Sequence, residues 1–258
     1  LTGAAKWQVI VKSFDKNISF WKSLEAVMIS FSANLFAPAK TGDFIKALVS
    51  EVDIDKGKLA SGVIAERIGD IISLSLLSII GGFLIGDQWI FSLGSSIILG
   101  IFVIIFLNIR FSPIIKSKNP SNLIIILIES LMLWREKFFN LLIALVWSSF
   151  NWILGGFQVW IIFLSFSSDI SLRIVLSSFP TTVLISIIPI TPGGIGLRES
   201  AYIYIFQSYS SAHVSLGTSL LYYAFTTGLL ALLGALFVYI YVDKNIIKKK
   251  SSYSDLKK

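Results

Sequence analysis

Cysteine is absent from this chain, histidine occurs once, at His213, and only 14% of the 258 residues are charged. Without cysteine there is no disulfide and no thiolate, so cysteine nucleophiles, redox pairs and thiolate metal sites are excluded. A single histidine excludes the histidine-based triad and the multi-histidine metal site. The shortage of charge says most, because a soluble domain of this size carries about a quarter charged residues. Apolar residues take the place of charge. They make up 55% of the chain, and the mean hydropathy is +0.80, which marks a polytopic membrane protein. The net charge is +7, with basic residues gathered in loops and at the C-terminus. That pattern fits membrane orientation and anionic lipid surfaces rather than nucleic acid. No G-x-x-x-x-G-K-S/T loop is present, so nucleotide-driven pumping by this chain is not expected. No cofactor and no metal are expected either.

Proline is scarce too, and three of the six prolines fall between Pro180 and Pro192. Residues 180–199 read PTTVLISIIPITPGGIGLRE. Pro189, Pro192, Gly193, Gly194 and Gly196 cannot continue a helix, because proline lacks a donor and glycine is too free. Backbone released in this way inside a bilayer must be paired or must line a wet cavity. Arg198 and Glu199 stand beside the break, which favours the cavity. A weaker echo lies at 34–47, NLFAPAKTGDFIKA, which shares Pro-x-x-x-Gly (Pro38 and Gly42; Pro192 and Gly196) followed closely by charge. Broken segments in matching halves of a membrane protein point to a binding site between repeats.

Four long apolar spans are expected, at 59–85, 89–108, 138–166 and 216–242. Residues 1–21 mix aromatics with lysine and read as an interfacial lead-in. Residues 24–37 are too short to cross, since a spanning helix needs about twenty residues. They read as a re-entrant arm ending at Pro38; the alternative is a tilted span kinked there. Residues 44–58 read as a solvated segment, and 122–134 as an interfacial or short re-entrant piece. Residues 172–190 and 201–206 are the two arms of the second break. Ser148, Asn151, Gly155 and Gln158 form one polar or small stripe, which lines a cavity or packs closely against a neighbour. Seven tryptophans and eight tyrosines are expected mostly as anchors at span ends.

Placing the basic tail 244–258 inside, and both breaks as hairpins, puts every Lys/Arg-rich loop on the cytoplasmic side. The fold class expected is therefore an all-α, polytopic membrane bundle with two proline/glycine-broken re-entrant hairpins arranged as an inverted repeat. One transmembrane domain, 1–243, precedes a basic cytoplasmic tail, and a further helix is expected to precede Leu1. The expected location is the cell membrane, with the C-terminus cytoplasmic.

The segments APAKTGDFIKA at 37–47, AERIGD at 65–70 opening a span, and ITPGGIGLRESA at 190–201 carry a resemblance. In this order the chain resembles the lysylphosphatidylglycerol synthase transmembrane-region family, the flippase-like domain proteins. The likeness runs from about Trp7 to Val242. That family includes the membrane half of bacterial aminoacyl-phosphatidylglycerol synthase/flippases and archaeal membrane proteins linked to dolichol-based glycosylation. Between Pro38 and Gly42 the family commonly has Gly or Arg-like residues; here Ala-Lys-Thr stands, with Lys40 as the basic residue. The resemblance implies lipid translocation.

Charges in the hydrocarbon cost about 2.5–3.5 kcal/mol each on insertion scales, so Glu66, Arg67, Asp70, Arg198 and Glu199 must be paired or wet. One reading is internal neutralisation that locks the span to its neighbours. The other is a path for a lipid head group. There Arg67, Arg198 and Lys40 attract phosphate, and Glu66, Asp70 and Glu199 tune the site. Pro38, Gly42, Asp43, Pro192, Gly193, Gly194 and Gly196 shape it, with the helix after Gly196 turning its N–H groups to the anion. Asp53-Ile54-Asp55 is a DxD, read as part of a solvated loop, and His213 as a surface residue. The function expected is a lipid flippase or scramblase. A membrane-embedded transferase using a lipid-phosphate substrate, or a non-catalytic partner of a lipid or glycan biosynthetic enzyme, are the alternatives. Membrane lipids are the expected partners, with such an enzyme and a second copy of the chain as further candidates.

Overall fold

The computed structural model describes residues 1–111, 123–188, 191 and 194–255, and among them every regular element is a helix. The order is α1 (Thr2–Lys12), α2 (Phe20–Phe36), a 3-10 turn (Pro38–Phe44), α3 (Ile45–Val49), α4 (Lys56–Ile85), α5 (Gln88–Phe111) and α6 (Leu123–Glu136). Then come α7 (Phe138–Ser165), α8 (Leu172–Ser186), α9 (Leu197–Phe206), α10 (Ala212–Tyr223), a π turn (Ala224–Leu229) and α11 (Leu230–Asp255). Lys56–Ile85, Phe138–Ser165 and Ala212–Asp243 are each long and apolar enough to cross a membrane, and Gln88–Ile104 and Leu172–Ser186 are shorter apolar helices.

The axis of the bundle is α4. Asp55 caps its start by accepting from the N–H groups of Gly57 and Lys58. Its end is set by Gly86, whose φ of 73° only glycine adopts freely, and there Asp87 N–H returns to Gly82 carbonyl at 2.9 Å. Asp87 then caps α5 through Trp89 and Ile90 N–H. At 1.5 Å per residue the 30 residues of α4 span roughly 45 Å, and Asp70 falls near the middle.

The lead-in expected at residues 1–21 is instead a core element. Trp7, Ile10 and Val11 of α1 are fully buried. The helix runs antiparallel to α4 and α7: Thr2 reaches Asn151, Lys6 reaches Asp70, and Ile10 abuts Gly62. Asp15, just past its end, pairs with Lys137 at the start of α7. This tryptophan is no interfacial anchor; its indole N–H donates to Ser50 Oγ at 3.0 Å. The expectation failed because Lys6 looks like a surface residue until its buried carboxylate partners are known. For the same reason residues 44–58 are only partly solvated. Lys46, Ala47 and Ser50 are buried, whereas Glu51, Asp53 and Lys56 are exposed.

Two segments turn back on themselves. The first is α2 with its return through the 3-10 turn and α3. Lys22 near the beginning pairs with Glu51 after the end, at 2.9 Å, so both limbs open at the same end of the bundle. The turn folds tightly onto α2, and a Cβ on Gly42 would lie 2.5 Å from Asn34 N and 2.6 Å from Ala33 C. The second segment is α8, the break after Ser186, and α9. Ile170 before α8 and Phe206 at the end of α9 share one core cluster with Phe163, near the opposite end of the bundle. Phe163 and Phe206 rings meet edge to face at 5.0 Å. Along α8, Ser177 abuts Gly81 and Thr181 bonds Ser78 at 3.0 Å, an antiparallel register with α4. Continued to Ser186, that register ends one turn from Asp70.

Candidate functional site

The expected group Asp43, Glu66, Arg67 and Asp70 is brought together, and the structure adds two lysines to it. Glu66, Arg67 and Asp70 lie on consecutive turns of α4, and Asp43 comes from the first turn-back. Lys6 of α1 bridges Asp70 at 2.6 Å and Glu66 at 3.1 Å. Lys46 of α3 holds the other Glu66 oxygen at 2.6 Å and lies over the Trp7 ring, 5.1 Å from its centroid. Arg67 pairs with Asp43 and, at 3.3 Å, with Asp70. Asn34 Nδ2 donates to Asp43 at 2.8 Å, and Ser148 Oγ of α7 donates to Asp70. The result is a chain of alternating sign: Asp43, Arg67, Asp70, Lys6, Glu66, Lys46. Three positive and three negative groups balance, and all but Arg67 have side chains 10% exposed or less. Such a network ties α1, the first turn-back, α4 and α7 to one another. Each of its charges has a protein partner.

Arg198 and Glu199 form a separate group at the start of α9. Arg198 Nη2 and Nε donate to Glu199 Oε1 at 2.6 and 3.1 Å. Glu199 Oε2 accepts the Gly196 N–H at 2.5 Å, so the chain's own carboxylate occupies the helix start expected to face an anion. The guanidinium lies over the Tyr223 ring, 3.8 Å from its centroid. Gly194 and Gly196 have φ of 73° and 87°, so here glycine serves the turn itself. Ile187, Ile188 and Ile195 around the break are exposed. Thr191 Oγ1 is buried without a hydrogen-bond partner.

Among the described residues, the ion pairs of Arg198 and Glu199 do not join those of Glu66, Arg67 and Asp70. Pro189, Pro192 and Gly193 lie outside the described residues. Pro38 and Lys40 lie in the 3-10 turn, Pro38 at its first position. Gly42 serves close packing against α2. Asp55 of the DxD is the α4 cap, and Asp53 is exposed beside Lys16 at 3.4 Å. His213 is exposed in the first turn of α10. The α7 stripe divides. Ser148 meets Asp70, Gly155 packs under Phe179 and Tyr222, and Asn151 and Gln158 are exposed. Among the described residues no cluster of metal-binding side chains occurs.

Sequence reasoning missed Lys6, Lys46, Asn34, Tyr222 and Tyr223, and placed Ser148 in a polar stripe without its carboxylate partner. A signal for Lys46 was present, since it stands in the apolar run FIKALV directly after a break.

The sequence matches the family described as the lysylphosphatidylglycerol synthase TM region over residues 1–234. It is 29% identical over 231 residues to the UPF0104 membrane protein MJ1078 of Methanocaldococcus jannaschii, covering 84% of this chain and 96% of that protein. It is also 36% identical over 89 residues to a UPF0104 membrane protein of Methanothermobacter thermautotrophicus, covering 34% of this chain and 25% of that one. No solved structure matches. The chain therefore belongs to the lysylphosphatidylglycerol synthase transmembrane-region family and is a multi-pass membrane protein.

Proposed function

We propose that this member of the lysylphosphatidylglycerol synthase transmembrane-region family moves a lipid with a phosphate-bearing head group between leaflets, and that Arg198 meets the phosphate. In this reading the two turn-backs are re-entrant hairpins of an inverted repeat, one from each leaflet. One observation supports it: a broken helix pair meets at a buried guanidinium whose one ion-pair partner among the described residues is the adjacent carboxylate. Phosphate oxygens and a carboxylate are the same kind of acceptor for guanidinium and for N–H groups at a helix start. An arriving head group therefore exchanges with Glu199 for Arg198 and the Gly196 N–H. Exchange keeps the site neutral before the lipid arrives and lets the lipid leave afterwards. The exposed Ile187, Ile188 and Ile195 keep the lipid tails in contact with the turn. The six-charge chain is the frame that holds the first hairpin against α4.

The test uses purified protein in vesicles of phosphatidylcholine and phosphatidylglycerol with a trace of fluorescent phosphatidylglycerol. Dithionite added outside bleaches only the outer leaflet of protein-free vesicles. Wild-type protein should extend bleaching to the inner leaflet, and Arg198→Gln should not, while keeping the wild-type helix content and melting behaviour. Arg198→Gln transporting at the wild-type rate would overturn the assignment. A covalent product formed from a lipid-phosphate donor would instead favour a transferase.

A further inference from the structure

We infer that α10 carries a closed polar track joining the Arg198 site to the end of the bundle where α8 begins, through which water and a phosphate head group pass when α10 swings at the π turn. The inference rests on the reading of Arg198 above.

Ser215, Thr218, Ser219 and Tyr222 recur at helical spacing and share one face of α10. That face is turned inward. Ser215, Thr218 and Ser219 are 0% exposed, and the Tyr222 ring meets Phe179 of α8 edge to face at 5.4 Å. Leu220 and Leu221, off this face, are exposed. A stripe of small residues would be ordinary helix packing if its hydroxyls were satisfied. They are not. The hydroxyls of Ser215, Thr218 and Ser219 have no hydrogen-bond partner, and neither has the buried indole N–H of Trp152 on α7.

Some buried hydroxyls of this protein take the simple remedy of donating to a carbonyl one turn back: Ser30 bonds Val27 and Thr182 bonds Phe179, each at 2.7 Å. Others, Ser23 on α2, Ser75 on α4 and Ser178 on α8, lack a partner singly, one to a helix. On α10 three residues of one face forgo that bond together, and they line one seam of the helix. Leaving buried donors unmade is costly, so such a row marks where a polar occupant belongs. The seam has the right endpoints. Ser211 and Ala212, at its outer limit, are exposed, and at its inner limit Tyr222 adjoins Tyr223, whose ring lies under the Arg198 guanidinium at 3.8 Å. Immediately beyond Tyr223 comes the π turn Ala224–Leu229, a loosened helical geometry at which helices bend. A Cβ on Gly228 there would meet open space, so the π turn itself is not packed against a neighbour at that residue.

The absence of cysteine makes the test direct. Single variants Ser215→Cys, Thr218→Cys and Ser219→Cys, with Leu220→Cys facing lipid and Leu74→Cys in the core as controls, are reconstituted in phosphatidylcholine/phosphatidylglycerol vesicles. A charged, membrane-impermeant thiol reagent is then applied. The three track positions should react at least about tenfold faster than both controls, because a wetted thiol ionises and one held in hydrocarbon does not. Rates no faster than the controls would overturn the track. Hydroxyl-radical footprinting of the unsubstituted protein reads the same track at Tyr222 without any risk of misfolding: oxidation of Tyr222 supports it, and an unmodified Tyr222 counts against it. Labelling without lipid transport would leave the track standing and remove the transport reading. Transport without labelling would do the reverse.

Discussion

Glu66→Gln and Asp70→Asn remove the same charge one helical turn apart, yet the structure predicts unequal losses. Glu66 is the carboxylate that holds Lys46, at 2.6 Å, and its removal leaves that ammonium over the Trp7 ring at 5.1 Å. Stranding one member of a buried pair costs about 3–5 kcal/mol, and the cation–π contact, present before and after the substitution, offsets none of it, so the expected loss is about 3–5 kcal/mol. Asp70→Asn strands nothing. Lys6 keeps Glu66 at 3.1 Å and Arg67 keeps Asp43. What it loses is the charge assistance to bonds from Lys6 and Ser148, about 1–2 kcal/mol. Adding Lys46→Met to Glu66→Gln removes the stranded charge and should recover at least half of the loss. Reversible unfolding in mixed micelles, titrated with dodecyl sulfate and followed by circular dichroism, measures all three. Equal losses for Glu66→Gln and Asp70→Asn, or a double variant no more stable than Glu66→Gln, would refute the alternating-charge reasoning.

Gly81→Ala drives a Cβ into the Ser177 backbone, so α4 and α8 must part, at a cost of about 1–3 kcal/mol in the same titration. Gly100→Ala on α5 meets open space and should be neutral or stabilising by up to about 1 kcal/mol. Asp53→Asn should change stability by less than about 0.5 kcal/mol and leave lipid transport intact, because Asp53 is exposed and its lysine partner is 3.4 Å away. Loss of function in that variant would restore a role for the DxD.

The all-helical membrane class, the long spans and both backbone breaks were legible in the sequence, because each rests on a local property: hydropathy, length, or the presence of proline and glycine. So was the meeting of Arg67 with Asp70, three residues apart on one helix, whereas the pairing of Asp43 with Arg67 was not. The identity of the lysine partners was not legible either. Lys6 and Lys46 stand in segments that look solvated by composition, and only the packing of α1 against α4 shows them to be buried. Nor was the separation of Arg198–Glu199 from the α4 charges legible. A neighbouring residue that neutralises Arg198 removes its need for a distant partner, and composition is blind to that geometry. Gly42 looked like a place for a ligand, but the space beside it is taken by the main chain of α2.

The sign pattern of the buried charges also bears on biogenesis. Glu66, Arg67 and Asp70 sum to a formal charge of −1 within the apolar part of α4, while Lys6, Asp43 and Lys46, all synthesised earlier, sum to +1. Neither set enters the hydrocarbon cheaply by itself. The expected order of insertion therefore holds Lys6, Asp43 and Lys46 at the membrane surface until α4 has been made, so that the two sets enter as one neutral assembly.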